Sequence, residues 1–192
     1  MSTNVSVASR PSMGSIWNQF FFAREVPYGM ALVRLLLPSM LLVDIVRRWP
    51  HSRELYSTDG ALATLHSNFG LPDMLPQLSA PWAVALFTVL GILLVTSAIG
   101  WCTRFSLIGS CLLYFYFSYM DCLSTATKYT VISQHILLLL GMSNCGDIWS
   151  VDAWLAKRRG EVVDPRGVIW PQRLCQILFG MIYFGAAITK MH

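Results

Sequence analysis

Charge is what this sequence has least of: only 12% of its 192 residues are Asp, Glu, Lys or Arg, about half the roughly 25% of a soluble domain. With 55% hydrophobic residues and a mean hydropathy of +0.53, too little polar surface remains to wet a soluble fold of this size. The five cysteines (Cys102, Cys111, Cys122, Cys145, Cys175) form no C-x-x-C pair and are odd in number. Lying in or beside apolar stretches, they read as small core hydrophobes rather than a disulfide framework or metal site. The opening MSTNVSVASRPSMGS lacks an apolar core, so no cleavable signal peptide is expected and the first span must serve as its own targeting signal. Glycine-rich phosphate loops and serine or cysteine nucleophile motifs are absent. The net charge of +4 comes from bases between apolar segments, which is a topology signal, and no nucleic-acid partner is expected.

What is present is long apolar runs. Trp82 to Gly100 holds nineteen residues without a charge, reaching about 28 Å as a helix and crossing a bilayer core. Continuous runs of this kind make helices, not the alternating strands of a barrel. The expected fold is an all-α integral membrane bundle of about five transmembrane helices, over 28–46, 82–100, 105–120, 129–146 and 174–190, behind an N-terminal tail of residues 1–27. The loop from Arg47 to Pro81, with Gly60, Pro72 and Pro76 around GALATLHSNF, predicts a short surface helix. After the fourth span, Ser150 can cap a helix, Asp152 sits in its positive first turn, Lys157, Arg158 and Arg159 complement its last turn, and Gly160 can close it. With Trp149 and Trp154 beside those bases, it reads as an interfacial amphipathic helix between the fourth and fifth spans.

Lys and Arg on alternating sides set the orientation. The tail and the second and fourth loops carry Arg10, Arg24, Arg104, Lys157, Arg158, Arg159, Arg166 and Arg173, against Arg47, Arg48, Arg53 and Lys128 in the first and third. A multi-pass protein of the cell membrane with a cytoplasmic amino terminus is expected, with Lys190 near the outer face.

Ionisable residues inside a span are costly, by roughly 2.5–3.5 kcal/mol on insertion scales. Asp44 reads as an ion pair with Arg47 and Arg48, three and four residues on. Arg34, about 9 Å along the first helix from Tyr28, either snorkels or is buried in a structural or anion-holding role. Of Ser133, Gln134 and His135, which point about 100° apart, His135 reads as a hydrogen-bonded core histidine. As the one histidine inside a span it does not support bis-histidine haem, and His51, His66 and His192 lack zinc spacing, so no metal is expected. The run YFYFSY, including Tyr114 and Tyr116, either contacts a flat quinone-like molecule or packs as core and interface aromatics. In the fifth helix Gln176, Gly180, Tyr183, Ala187 and Lys190 recur as one narrow stripe expected to face the bundle. A lysine packed there loses charge stabilisation and becomes a general base, whereas one at the water boundary only snorkels.

Four pieces in order, LVRLLLPSMLLVDIVRRW, YSTDGAL, NCGDIWSVDAWLAKRRG and WPQRLCQILFGMIYFGAAITK, resemble the HTTM family, whose membrane domain is shared with the vitamin K-dependent gamma-carboxylases. The resemblance spans about residues 15 to 192. Its strongest patches are Trp149-Ser150-Val151-Asp152 and Tyr183-Phe184, with Lys190 seven residues after Tyr183.

This resemblance implies a membrane enzyme of carboxylase-like lyase type that deprotonates a reduced vitamin K quinol and lets oxygen attack it. The resulting strong base removes a glutamate γ proton before carbon dioxide adds, on exported peptides or proteins. Lys190 matches the base lysine as the second of a pair whose first member is here Thr189. Gln176 and Tyr183 would line the approach, and Tyr114 and Tyr116 would touch the quinol. An Asn-His pair of the carboxylases falls on Lys128-Tyr129, which removes a functional histidine. The chain stops at His192, where carboxylases continue into a large lumenal part, so the domain over 28–192 reads as incomplete at its C-terminus. The alternative reading is a non-catalytic membrane scaffold or maturation partner for an exported peptide. A transporter is disfavoured, because five spans show no inverted repeat.

Overall fold

A computed structural model describes residues 12–70, 75–161 and 164–191. Arg10, Pro72 and His192 lie outside the described residues, as does the His66 side chain. The chain runs through α1 (Met13–Phe22), strand β1 (Arg24–Glu25), α2 (Tyr28–Arg48), a 3-10 turn (Trp49–His51), α3 (Ser52–Tyr56) and α4 (Leu65–Phe69). It continues through α5 (Ala80–Ile99), α6 (Thr103–Met120), α7 (Lys128–Met142), a second 3-10 turn (Cys145–Asp147), α8 (Val151–Arg158), strand β2 (Gly167–Val168) and α9 (Trp170–Met191). β1 and β2 pair antiparallel, Arg24 with Val168 and Glu25 with Gly167, and tie the entry of α2 to the entry of α9.

α2, α5, α6 and α7 form the bundle: α5 packs between α2 and α6, α6 packs on α7, and α7 returns to α2. In α5 the buried residues Ala80, Ala83, Phe87, Leu90, Leu94 and Ser97 recur every three or four positions, while the opposite face shows Trp82, Val89, Ile92 and Val95 to the outside. A helix apolar on both faces suits a core on one side and lipid on the other. Tyr56, Phe87 and Phe117 meet at ring-centroid distances of 4.9, 4.9 and 5.0 Å and close the core at one end.

A helix forms over each of the five expected segments; α2, α6 and α9 are a few residues longer than expected, α5 is shifted one or two residues toward the N-terminus, and α7 ends at Met142 instead of at 146. Three segments, Tyr28–Tyr56, Ala80–Ile99 and Trp170–Met191, are long and apolar enough to cross a membrane. α6 and α7 run between the same two ends of the bundle but are not among the segments of that length and composition. α6 buries Ser106, Ser110 and Ser118 in the interior, and the 15 residues of α7 reach only about 22 Å.

The sequence signals around α8 hold: the Ser150 side chain accepts from the Ala153 backbone N–H at 2.9 Å, and Gly160 adopts φ +76° after the last turn. Three expectations are corrected. His135 is exposed, its Nδ1 2.7 Å from the Val131 carbonyl oxygen of its own helix, while Gln134, about 100° round the helix, is the buried residue and donates to Ser118 Oγ at 2.9 Å. The polar stripe of α9 is not packed into the bundle: Gln176, Gly180, Tyr183, Ala187 and Lys190 are all exposed, because α9 packs beside the bundle against α7 and α1, and of the five Tyr183 borders α7. All five cysteines are free, and Cys102 is exposed rather than core.

Candidate functional site

Each end of the bundle carries a polar centre. At the end where α2 begins, Arg34 is fully buried (0% exposed), so of its two expected roles the buried one is what the fold adopts. Its Nη2 donates to the Trp149 carbonyl at 2.6 Å. Trp149 takes φ +51°, a left-handed value unusual for a bulky residue, and this turns its carbonyl to the guanidinium. Gly100, φ +75°, ends α5 directly against Arg34, and a Cβ there would overlap Nη1. Pro38, one turn on in α2, lacks the N–H that would bond the Arg34 carbonyl.

Asp152 completes this end. Its carboxylate accepts from the Cys102 and Thr103 backbone N–H groups at 2.9 and 2.8 Å and from Thr103 Oγ1 at 2.7 Å, capping α6 from α8. Its own N–H donates to the Gly100 carbonyl at 3.0 Å. The WSVD patch is therefore a clasp over the α5–α6 turn.

At the opposite end, Arg48 pairs with Asp44 at 3.0 Å and donates to Thr125 Oγ1 at 2.8 Å and the Ser124 carbonyl at 3.0 Å. Asp121 accepts from Thr125 Oγ1 at 2.7 Å, from the Ser124 N–H at 3.1 Å and from the Ser124 hydroxyl. Burial alone would raise the Asp121 carboxyl, but these hydrogen bonds and the charge of Arg48 outweigh it and hold it below the usual carboxylate range.

Two cavities open beside this second centre. One, of about 220 Å³, is lined by Asp44, Arg48, Tyr114, Thr127, Tyr129 and Ser133 among others. The next, of about 360 Å³, lies between α7 and α9 and is lined by Lys128, Tyr129, Ile132, Ser133, Phe179, Ile182 and Tyr183. Tyr129 and Ser133 belong to both, and the Lys128 Nζ stands 5.3 Å from the Tyr129 ring centroid.

The other sequence-predicted residues are spread. Tyr114 lines the smaller cavity and Tyr183 the larger. Tyr116 points elsewhere and donates to the Pro76 carbonyl at 2.8 Å. Gln176 accepts from Arg173 at 3.0 Å near the start of α9, about 10 Å along the helix from Tyr183. Lys190 is exposed and lines neither cavity; it stands two turns beyond Tyr183, and because α7 begins beside Tyr183, these last turns run past the α7 N-terminus. Lys128 and Tyr129, read from sequence only as a departure from the carboxylases, are the residues the fold gathers with Tyr183.

Among the described residues no three His, Cys, Asp or Glu side chains converge as a metal site requires. No curated protein and no solved structure matches the chain. The family model of the HTTM domain matches residues 22–192, from the end of α1 through α9, and the chain, with helices long and apolar enough to cross a bilayer, is a membrane protein belonging to the HTTM family.

Proposed function

We propose that this chain is a carboxylase-like membrane module in which the α7–α9 cleft takes a reduced vitamin K-type quinol, for modification of glutamates in exported peptides. The observation that carries this reading is the cleft itself. Two phenols (Tyr129, Tyr183), one ammonium (Lys128) and a hydroxyl (Ser133) share its wall with Ile132, Phe179 and Ile182; Phe179, Ile182 and Tyr183 lie on α9, the helix that also bears Lys190. That donor set fits a flat apolar molecule carrying hydroxyl groups. Membership of the HTTM family, whose membrane domain the vitamin K-dependent carboxylases share, supports the same chemistry.

When bound, the quinol supplies with oxygen the strong base that removes a glutamate γ proton before carbon dioxide adds. The chain's own part is narrower. Ile132, Phe179 and Ile182 would pack along the ring and Tyr129 and Tyr183 orient its hydroxyls, while Lys190, exposed two turns beyond Tyr183, would accept a hydroxyl proton where the molecule extends past the α7 N-terminus. Residues 1–27 and the α8 end lie on the cytoplasmic side of the cell membrane in this account, in line with the excess of Lys and Arg there.

The test is quinol-dependent epoxide formation in membranes carrying the chain, beside Lys190→Ala. Epoxide that requires the chain and falls at least tenfold in the variant is expected. Epoxide unaffected by Lys190→Ala would remove the lysine from the chemistry.

A second reading has its own observation: every described residue of α9 from Phe179 onward is exposed, as a scaffold for an exported peptide would require. Crosslinking of such a peptide to α9 without quinol turnover would favour it.

A further inference from the structure

A cavity of about 800 Å³ lies under α8 at the opposite end from the α7–α9 cleft, with Ile99, Ile148, Trp149, Val151, Trp154 and Lys157 in its wall. Val151, Trp154 and Lys157 are one face of α8, three residues apart, and this face overhangs the cavity instead of packing on the bundle. Ile99 is the last residue of α5, a helix long and apolar enough to cross a membrane, so the cavity sits at the boundary between hydrocarbon and headgroups. Its chemistry is graded. Ile99, Ile148 and Val151 form an apolar wall, Trp149 and Trp154 are more than half exposed beside it, and the basic run Lys157-Arg158-Arg159 closes α8. The Arg158 guanidinium stacks on the Trp154 ring at 3.9 Å, which fixes a cation at the aromatic rim. Asp147 and Glu161 also border the cavity; the Asp147 carboxylate accepts from Asn144 Nδ2 at 3.0 Å, Lys157 is the base in the wall itself, and Arg158 adds a second cation at its aromatic edge.

We propose that this cavity is a site for an anionic phospholipid. Its acyl chain lies along Ile99, Ile148 and Val151, its glycerol packs between Trp149 and Trp154, and its phosphate meets Lys157 and Arg158. An amphiphile with one negative head and an apolar tail matches both halves of the wall, and juxtamembrane bases of this kind select anionic lipids. α8 is then held by the clasp at its start and by lipid along its length.

The full chain, purified from membranes holding equal phosphatidylglycerol and phosphatidylethanolamine, tests this by mass spectrometry of the lipid it retains. Phosphatidylglycerol should be enriched roughly thirtyfold, the scale set by two cations at an anionic surface. Lys157→Gln with Arg158→Gln should abolish the enrichment. Arg104→Gln with Arg166→Gln, an equal charge change at the same end, should leave it intact, and unchanged thermal unfolding of both pairs verifies folding. Equal retention of the two lipids, or equal loss in both variant pairs, would overturn the proposal. Displacement of the lipid by millimolar inorganic phosphate would also overturn it, in favour of a soluble-phosphate site.

Discussion

Arg34 and Trp149 stand 115 positions apart in the chain, and the guanidinium of one holds the carbonyl of the other at 2.6 Å. The bond offsets a left-handed Trp149 backbone, a conformation that costs about 1–3 kcal/mol where unsupported. It is possible because Gly100 has no side chain to occupy the space of Nη1.

Gly100→Ala is therefore expected to destabilise the fold by about 2–4 kcal/mol, combining left-handed strain of about 1 kcal/mol with the overlap on Arg34. In an Arg34→Ala background the overlap on Arg34 is relieved while the strain and the close approach to the Ser150 Cβ remain, so the cost should fall to about 2 kcal/mol. Unfolding of the four proteins in detergent micelles measures the coupling, and simple additivity would contradict the contact.

Asp152→Ala should cost about 2–3 kcal/mol, because two backbone N–H groups at the start of α6 and the Thr103 hydroxyl lose a charged acceptor together. Asp152→Asn keeps an acceptor and should cost less, about 1 kcal/mol. Hydrogen exchange at Cys102 and Thr103 is the local readout: protection should fall there before it falls in the middle of α6.

Helix positions were legible because uninterrupted apolar runs leave no other element for a lipid-facing segment, and the ends of α8 because Ser150 and Gly160 are local signals. The partner of Asp152 was not legible: the same carboxylate serves the first turn of α8 and caps α6 from 49 and 50 residues away, and only tertiary structure selects that second use. Arg34 left two roles open because its partner is a backbone carbonyl, which no side-chain pattern announces. In α9 the spacing identified which residues share a face but not what covers that face. His135 and Gln134 are adjacent, and the facing of α7 about its axis, which selects one of two side chains about 100° apart, is set by its packing on α6. For the candidate site, Tyr183 was found from sequence while Lys128, Tyr129 and Ser133 came from the packing of α7 on α9.

Asp121 gives a pH dependence with a definite sign. Its carboxyl is held below the usual range, so its contribution is fully present above an ordinary aspartate value of about 3.9 and is lost as pH falls through the lower folded value. Unfolding measured from pH 6 down to pH 3 should steepen below about pH 4, and Asp121→Asn should flatten that limb. A variant as acid-sensitive as the parent would contradict the assignment.

Topology follows from thiol access. Cys102 is exposed beside α8 while Cys145 is buried. In a chain keeping Cys102 alone, a membrane-impermeant maleimide should label inside-out vesicles and spare right-side-out ones. The reverse pattern would invert the orientation.

The most direct test of the central claim is photocrosslinking with a quinol analogue carrying a photoreactive group on its ring, followed by peptide mapping. The account predicts labels on Lys128–Ser133 of α7 and Phe179–Tyr183 of α9, competed by unlabelled quinol and reduced at least tenfold in Tyr129→Ala with Tyr183→Ala. Labels confined to the apolar groove that Leu42, Val46, Phe87, Gly91 and Val95 line between α2 and α5, or spread without competition over the exposed apolar faces, would contradict it.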